Sequence, residues 1–192
     1  GFTSVMMDAS LLPLEQNIAI CKKIVELAHP VNVSVEGELG TIGTTGPEAE
    51  AGTEEIIYTN PDDVVIFVEA TGVDTLAVAI GTAHGIYPKN KKPELKLDLL
   101  KKIASMVDIP LVLHGASGIP EDEVEAAKAA GVHKFNADTD LRHAFRAGME
   151  AVWSKGDAQL ETAMAEGRKR MIAATVEKMK LYGCAGKAPA KR

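Results

Sequence analysis

Residues 109–118 read IPLVLHGASG, an apolar run that stops at His114 and gives way to a turn of small residues bracketed by Gly115 and Gly118. Residues 75–85 repeat the pattern as TLAVAIGTAHG, again an apolar run followed by a His-Gly pair at His84 and Gly85. Short apolar runs of this kind read as buried strands, and helical signals between them read as the alternation of a parallel sheet. Working outward, further strands are predicted at 3–8 (TSVMMD), 31–39 (VNVSVEGEL) and 134–137 (KFNA). A helix signal follows each strand. After the first, Ser10 is placed to cap and Pro13 to take the opening turn, with Leu14, Ile18, Cys21, Val25 and Ala28 at helical spacing. A second helix opens at Asn60-Pro61, carries Asp62 and Asp63 in its first turn and stops at Gly72. Others are predicted at 96–106, at 120–130, after Asp138-Thr139, and at 157–182, leaving a fraying tail over 183–192.

The chain has 192 residues, which suggests one domain over 1–192, yet this is short of the roughly 250 that a complete (β/α)8 barrel usually takes. It opens almost inside a strand, so residues upstream of Gly1 are expected to cover that strand's edge. With 21 Lys plus Arg against 27 Asp plus Glu, the chain offers no basic footprint for nucleic acid or an anionic membrane. No apolar stretch reaches the roughly 18 residues of a membrane span and no signal segment leads the chain, so a cytoplasmic location is expected. Cys21 and Cys184 form neither a disulfide framework nor a zinc knuckle. The Gly-, Thr- and Glu-rich stretch 40–54 reads as a long loop of the kind that closes over sites.

Strand carboxyl ends in a parallel α/β fold share one face, where ligands bind. His84 and His114 stand at two such ends. One histidine in that place is more often a strand-end hydrogen-bonding group, but two at matched positions favour a shared metal. Neutral imidazole suits zinc, and the Gly after each ring permits close approach. Catalytic zinc usually takes three protein ligands, so two leave the set incomplete. His29, His133 and His143 lack this placement and read as structural or exposed.

Period-two alternation in 31–39 puts Ser34, Glu36 and Glu38 on one face and Val33, Val35 and Leu39 on the other. With the apolar face toward the helices, both carboxylates point inward, and each then needs a cation or a donor. Internal ion pairing and a functional role are evenly balanced for Glu36. Glu38 and Asp8 stand nearer strand carboxyl ends, where they could hold a cation. The third signal is for phosphate: Gly115-Ala116-Ser117-Gly118 follows one strand, and Asn136-Ala137-Asp138-Thr139 follows the next and opens a helix. Backbone N–H groups at a helix start with small hydroxyl side chains make an anion site, although Asn136 and Thr139 as plain helix caps is the simpler alternative.

The segments SVMMDAS, LPLEQNI, VEGELG, AVAIGTAHG, LVLHGASG and FNADTDLR, in this order, resemble the class II, zinc-dependent ketose-bisphosphate aldolases, from Phe2 to the tail. The resemblance implies a TIM (β/α)8 barrel of which this chain holds strands four to eight. It implies that His84 and His114 are zinc ligands. Gly85, Gly115, Ser117, Asn136, Asp138 and Thr139 would bind dihydroxyacetone phosphate with a monovalent cation, Na+ or K+, and Asp8 and Glu38 match a second metal position of some members. The family's Asp-His pair, its acid/base and third zinc ligand, has no counterpart here, so the 192 residues alone are not expected to be competent. Ser10-Leu11 also departs from the family's Ser-His.

The implied reaction is reversible aldol cleavage of a ketose 1,6-bisphosphate, fructose or tagatose, to dihydroxyacetone phosphate and glyceraldehyde 3-phosphate, a step of carbohydrate metabolism and glycolysis. Zinc would polarise the ketone and stabilise the enediolate. No lysine is predicted at a strand carboxyl end, which argues against an imine route. The base in the family is a Glu on the loop after VEGELG, here Glu48 or Glu50. A homodimer or higher homo-oligomer is expected on the resemblance alone. The alternatives are a non-catalytic sugar-phosphate binder and a different phosphate-binding barrel enzyme.

Overall fold

The computed structural model describes residues 1–44, 55–85, 94–156 and 159–188. They form two compact units, Gly1–Asn136 and Ala137–Arg192. The first is built on a five-stranded sheet of β1 (Ser4–Met7), β2 (Ser34–Leu39), β4 (Thr75–Val78), β6 (Leu111–Leu113) and β7 (Val132–Phe135), neighbours in that order and parallel throughout. Helices α1 (Leu14–Ala28), α2 (Pro61–Thr71), α3 (Leu97–Ala104) and α4 (Glu121–Ala129) alternate with these strands. A second, parallel pair joins β3 (Gly43–Thr44) to β5 (Ala83–His84).

The elements follow from the residues at their ends and on their faces. Helix α2 starts as the sequence predicts: the Asn60 side chain accepts from the Asp62 N–H at 3.2 Å, Pro61 takes the first turn, and Gly72 ends the helix at φ +71°. It buries Val64, Phe67 and Thr71 at i, i+3, i+7. Phe67 presses onto β2 at Gly37, where a Cβ would stand 2.8 Å from its ring. Only glycine lets helix and strand approach that closely. Val35 and Leu39 are buried with Gly37 on that face, which leaves Glu36 and Glu38 on the other.

Three local expectations differ. Pro13, not Ser10, is the N-cap residue of α1, because the Ser10 hydroxyl donates instead to Asp8 at 2.7 Å. Strand β2 starts at Ser34 rather than at residue 31, since His29–Val31 is a 3-10 turn and Asn32 sits at φ +57°. Strand β7 starts two residues earlier than predicted, directly after Gly131 at φ +116°.

On a flat sheet β2 and β7 would stand about 14 Å apart, three strand spacings, with side chains roughly perpendicular to the surface. Yet Lys134 Nζ on β7 lies 2.6 Å from Glu36 Oε2 on β2. The sheet is therefore strongly curved, with these residues on its concave side. The second unit is an α-helical hairpin of α5 (Thr139–Trp153) and α6 (Leu160–Leu181), in contact at Gly148 and Gly167, where a Cβ on Gly148 would stand 2.6 Å from the Gly167 Cα. Among the described residues no helix is long and apolar enough to cross a membrane.

Candidate functional site

The concave face converges on His114, immediately after β6. Its Nε2 lies 2.9 Å from Glu36 Oε1 and its Nδ1 lies 3.0 Å from Glu38 Oε2. All three side chains are buried. Period-two spacing on β2 brings both carboxylates to the same face, and sheet curvature brings them to one ring. Burial alone would depress the imidazole, but the hydrogen bonds that Glu36 and Glu38 accept from the ring, together with their charges, outweigh it and raise its pKa to about 9. Burial alone would raise Glu36; His114 and Lys134 outweigh that and hold its carboxyl below the usual range. Thr75 Oγ1 also donates to Glu36 Oε2, at 3.3 Å.

Glu38 is anchored from the backbone side. Asn17 on α1 donates from Nδ2 to the Glu38 carbonyl at 2.9 Å, and its Oδ1 accepts from the Cys21 thiol at 3.2 Å. Asn17 is 1% exposed, so a polar residue fills the helix face that Leu14 and Ile18 were expected to share. Burial, with a contribution from the Asp8 charge, pushes the Cys21 thiol up to about 11.

The two His-Gly corners pack against each other. Gly115 sits at φ +63°, and a Cβ there would lie 2.7 Å from the Ala83 carbonyl oxygen, one residue before His84 on β5. Gly85 also has a positive φ, +105°. Beyond Gly115, the Ala116 N–H donates to the Asn136 carbonyl at 2.9 Å and the Asn136 N–H donates to the Leu113 carbonyl at 3.0 Å. These bonds set the loop bearing Ser117, itself buried, beside the end of β7.

Not every predicted residue joins this cluster. Asp8 is exposed and accepts from the Ser10 N–H at 3.0 Å. Asp138 is the N-cap residue of α5, without a side-chain cap, and pairs with Arg142 Nε at 2.8 Å, while Thr139 is buried in the first turn. Glu48 and Glu50 lie outside the described residues. His29 pairs with Asp74 at 2.9 Å and His133 meets the Gly131 carbonyl at 2.8 Å, in keeping with structural roles. Lys134 and Thr75 are the participants that sequence reasoning missed. The alternation of β7 that sets Lys134 two residues from Asn136 could have found the first.

Among the described residues no three His, Cys, Asp or Glu side chains stand in an arrangement that holds a metal ion. The donor chemistry nevertheless fits zinc in part. Two imidazoles come from packed neighbouring corners, and one of them is backed by a buried carboxylate, the usual support of a zinc-binding histidine.

A family model described as fructose-bisphosphate aldolase class-II matches residues 1–187. The D-tagatose-1,6-bisphosphate aldolase subunit GatY of Klebsiella oxytoca is 45% identical over 145 residues, 76% of this chain and 50% of that protein. The fructose-bisphosphate aldolase of Thermus caldophilus is 38% identical over 211 residues, 98% of this chain and 69% of that protein. The crystal structure of the YdjI aldolase from Escherichia coli K12 superposes with a TM-score of 0.81 at 39% identity, covering 98% of this chain and 64% of that one. This chain thus spans between half and about two thirds of the length of these relatives.

Proposed function

Because the chain belongs to the class II fructose-bisphosphate aldolase family, we propose that this protein catalyses the reversible, zinc-dependent aldol cleavage of a ketose 1,6-bisphosphate to dihydroxyacetone phosphate and glyceraldehyde 3-phosphate. The observation that carries the reading is the convergence of Glu36 and Glu38 of β2 on His114, which follows the carboxyl end of β6, on the concave face of a parallel sheet. In this reading the five strands are an arc of a (β/α)8 barrel, in which that face is the site of chemistry.

His84 and His114 would hold the zinc, with a further donor outside this pair. Bound there, zinc supplies a Lewis acid that polarises the substrate carbonyl and steadies the negative charge developing on its oxygen. The remaining tasks fall to this chain's own groups. The Gly115–Gly118 turn, with the Ser117 hydroxyl, and the start of α5 with Asp138 and Thr139, bind and orient the phosphate end of dihydroxyacetone phosphate, with Gly85 and Asn136 and an associated monovalent cation. A loop carboxylate, Glu48 or Glu50, takes the proton from the hydroxymethyl carbon and returns it in the reverse direction. Asp8 and Glu38 are candidates for a second metal position. A homo-oligomer acting on a small sugar phosphate in the cytoplasm completes the proposal.

The partial reaction tests it. With dihydroxyacetone phosphate alone in deuterated buffer, the zinc-loaded full-length protein should exchange one hydroxymethyl proton, seen by NMR. No exchange by protein that binds zinc and dihydroxyacetone phosphate would contradict the assignment.

A further inference from the structure

An imidazole that binds a metal must present one ring nitrogen as a lone pair and keep its proton on the other. Which nitrogen does which is set by the acceptor that is harder to move. His114 meets a carboxylate at each nitrogen, and the two differ. Glu36, 2% exposed, holds the ring with Oε1 while Oε2 accepts from Lys134 Nζ at 2.6 Å and from Thr75 Oγ1 at 3.3 Å. It is tied to β4 and β7 as well as to the ring. Among the described residues, His114 is the one side chain that the Glu38 carboxylate meets.

From this asymmetry, and resting on the zinc reading above, we infer that Glu36 is a positioning residue: clamped by Lys134 and Thr75, it keeps the His114 proton on Nε2 and so assigns Nδ1 to the metal, with Glu38 as the group that gives way. Lys134 acts at one remove, by preventing Glu36 from turning toward Nδ1. Its own side chain is half exposed, so its replacement leaves the core intact.

The experiment is chelator competition for zinc on the whole protein, together with imidazole nitrogen NMR of the zinc-loaded form, for the wild type, Glu36→Ala, Glu36→Gln, Lys134→Met and a His114→Ala control. In the wild type, Nδ1 should carry the metal shift and Nε2 its proton. Glu36→Ala should weaken zinc binding about 10- to 100-fold, Glu36→Gln should recover part of that loss because it keeps an acceptor, and Lys134→Met should weaken binding severalfold. A purely structural role for the clamp would lower stability yet leave zinc affinity and the nitrogen pattern of the folded protein unchanged, which would overturn the inference, as would a metal-bound Nε2. If Glu36→Ala does not fold, Lys134→Met decides by the same two readouts. If His114→Ala holds zinc as tightly as the wild type, the zinc reading itself fails and takes the inference with it. If it loses zinc while the Glu36 and Lys134 variants keep it, only the inference falls.

Discussion

The Asn17 side-chain amide ends on the backbone carbonyl of Glu38, 2.9 Å away, so a buried polar group of α1 holds the end of β2 where its carboxylate meets His114. Removing that amide leaves the carbonyl and the Cys21 thiol without it and opens a small void. Asn17→Ala should cost about 1–3 kcal/mol of unfolding free energy, read from urea midpoints. A loss below about 0.5 kcal/mol would mean that the Glu38 end of β2 is held by other groups.

The two cysteines should differ sharply toward alkylation. Cys21 is fully buried with its thiol pushed up to about 11, while Cys184 is exposed. Alkylation at pH 8 should reach the exposed Cys184 and spare Cys21, whose burial both blocks the reagent and disfavours the reactive thiolate. Iodoacetamide followed by mass spectrometry should therefore show one rapid modification, on the C-terminal peptide. Equal labelling of both in the folded protein would contradict the packing of α1.

Asp74 supplies a pH-dependent contribution at the amino ends of the strands. Burial would raise its carboxyl, but the Val35 N–H at 2.7 Å and His29 at 2.9 Å outweigh it and hold the pKa below the ordinary 3.8. A depressed carboxylate stabilises the fold above its unfolded pKa and loses that contribution as pH falls through the folded value. Asp74→Asn should thus cost about 0.5–1 kcal/mol at pH 6, since the group is partly exposed, and the gap from wild type should close below about pH 4. A gap that widens on acidification would reverse the sign argued here.

Gly115→Ala addresses the packed His-Gly corners. A Cβ would stand 2.7 Å from the Ala83 carbonyl on a backbone at φ +63°, so about 1–3 kcal/mol of strain is expected. Loss of thermal stability and weaker zinc retention should appear together. An alanine variant equal to wild type in both would remove the close approach.

The order of strands and helices was legible because apolar runs and capping residues are local signals, as at Asn60 and Gly72 in α2. Inward-facing Glu36 and Glu38 were legible from alternation. Their meeting on one histidine was not, because it depends on curvature across β2, β4 and β6, which no local pattern encodes. Lys134 was hidden for a related reason: with the strand predicted from residue 134, it stood at the amino end, whereas Gly131 starts β7 early and carries Lys134 inward. Asn17 broke the expected apolar stripe, since its burial is balanced by bonds to residues distant in sequence. The pairing of β3 with β5 carries no alternation in sequence, being only two residues long.

The most direct measurement is aldol cleavage of fructose and tagatose 1,6-bisphosphates by the purified full-length protein after chelation and again after zinc is restored, with His114→Ala in parallel. Cleavage that disappears with the metal, returns with about one zinc per chain, and is absent from His114→Ala is the expected result. Cleavage that survives chelation, or that His114→Ala retains at the wild-type rate, would contradict a zinc-dependent aldolase centred on this histidine.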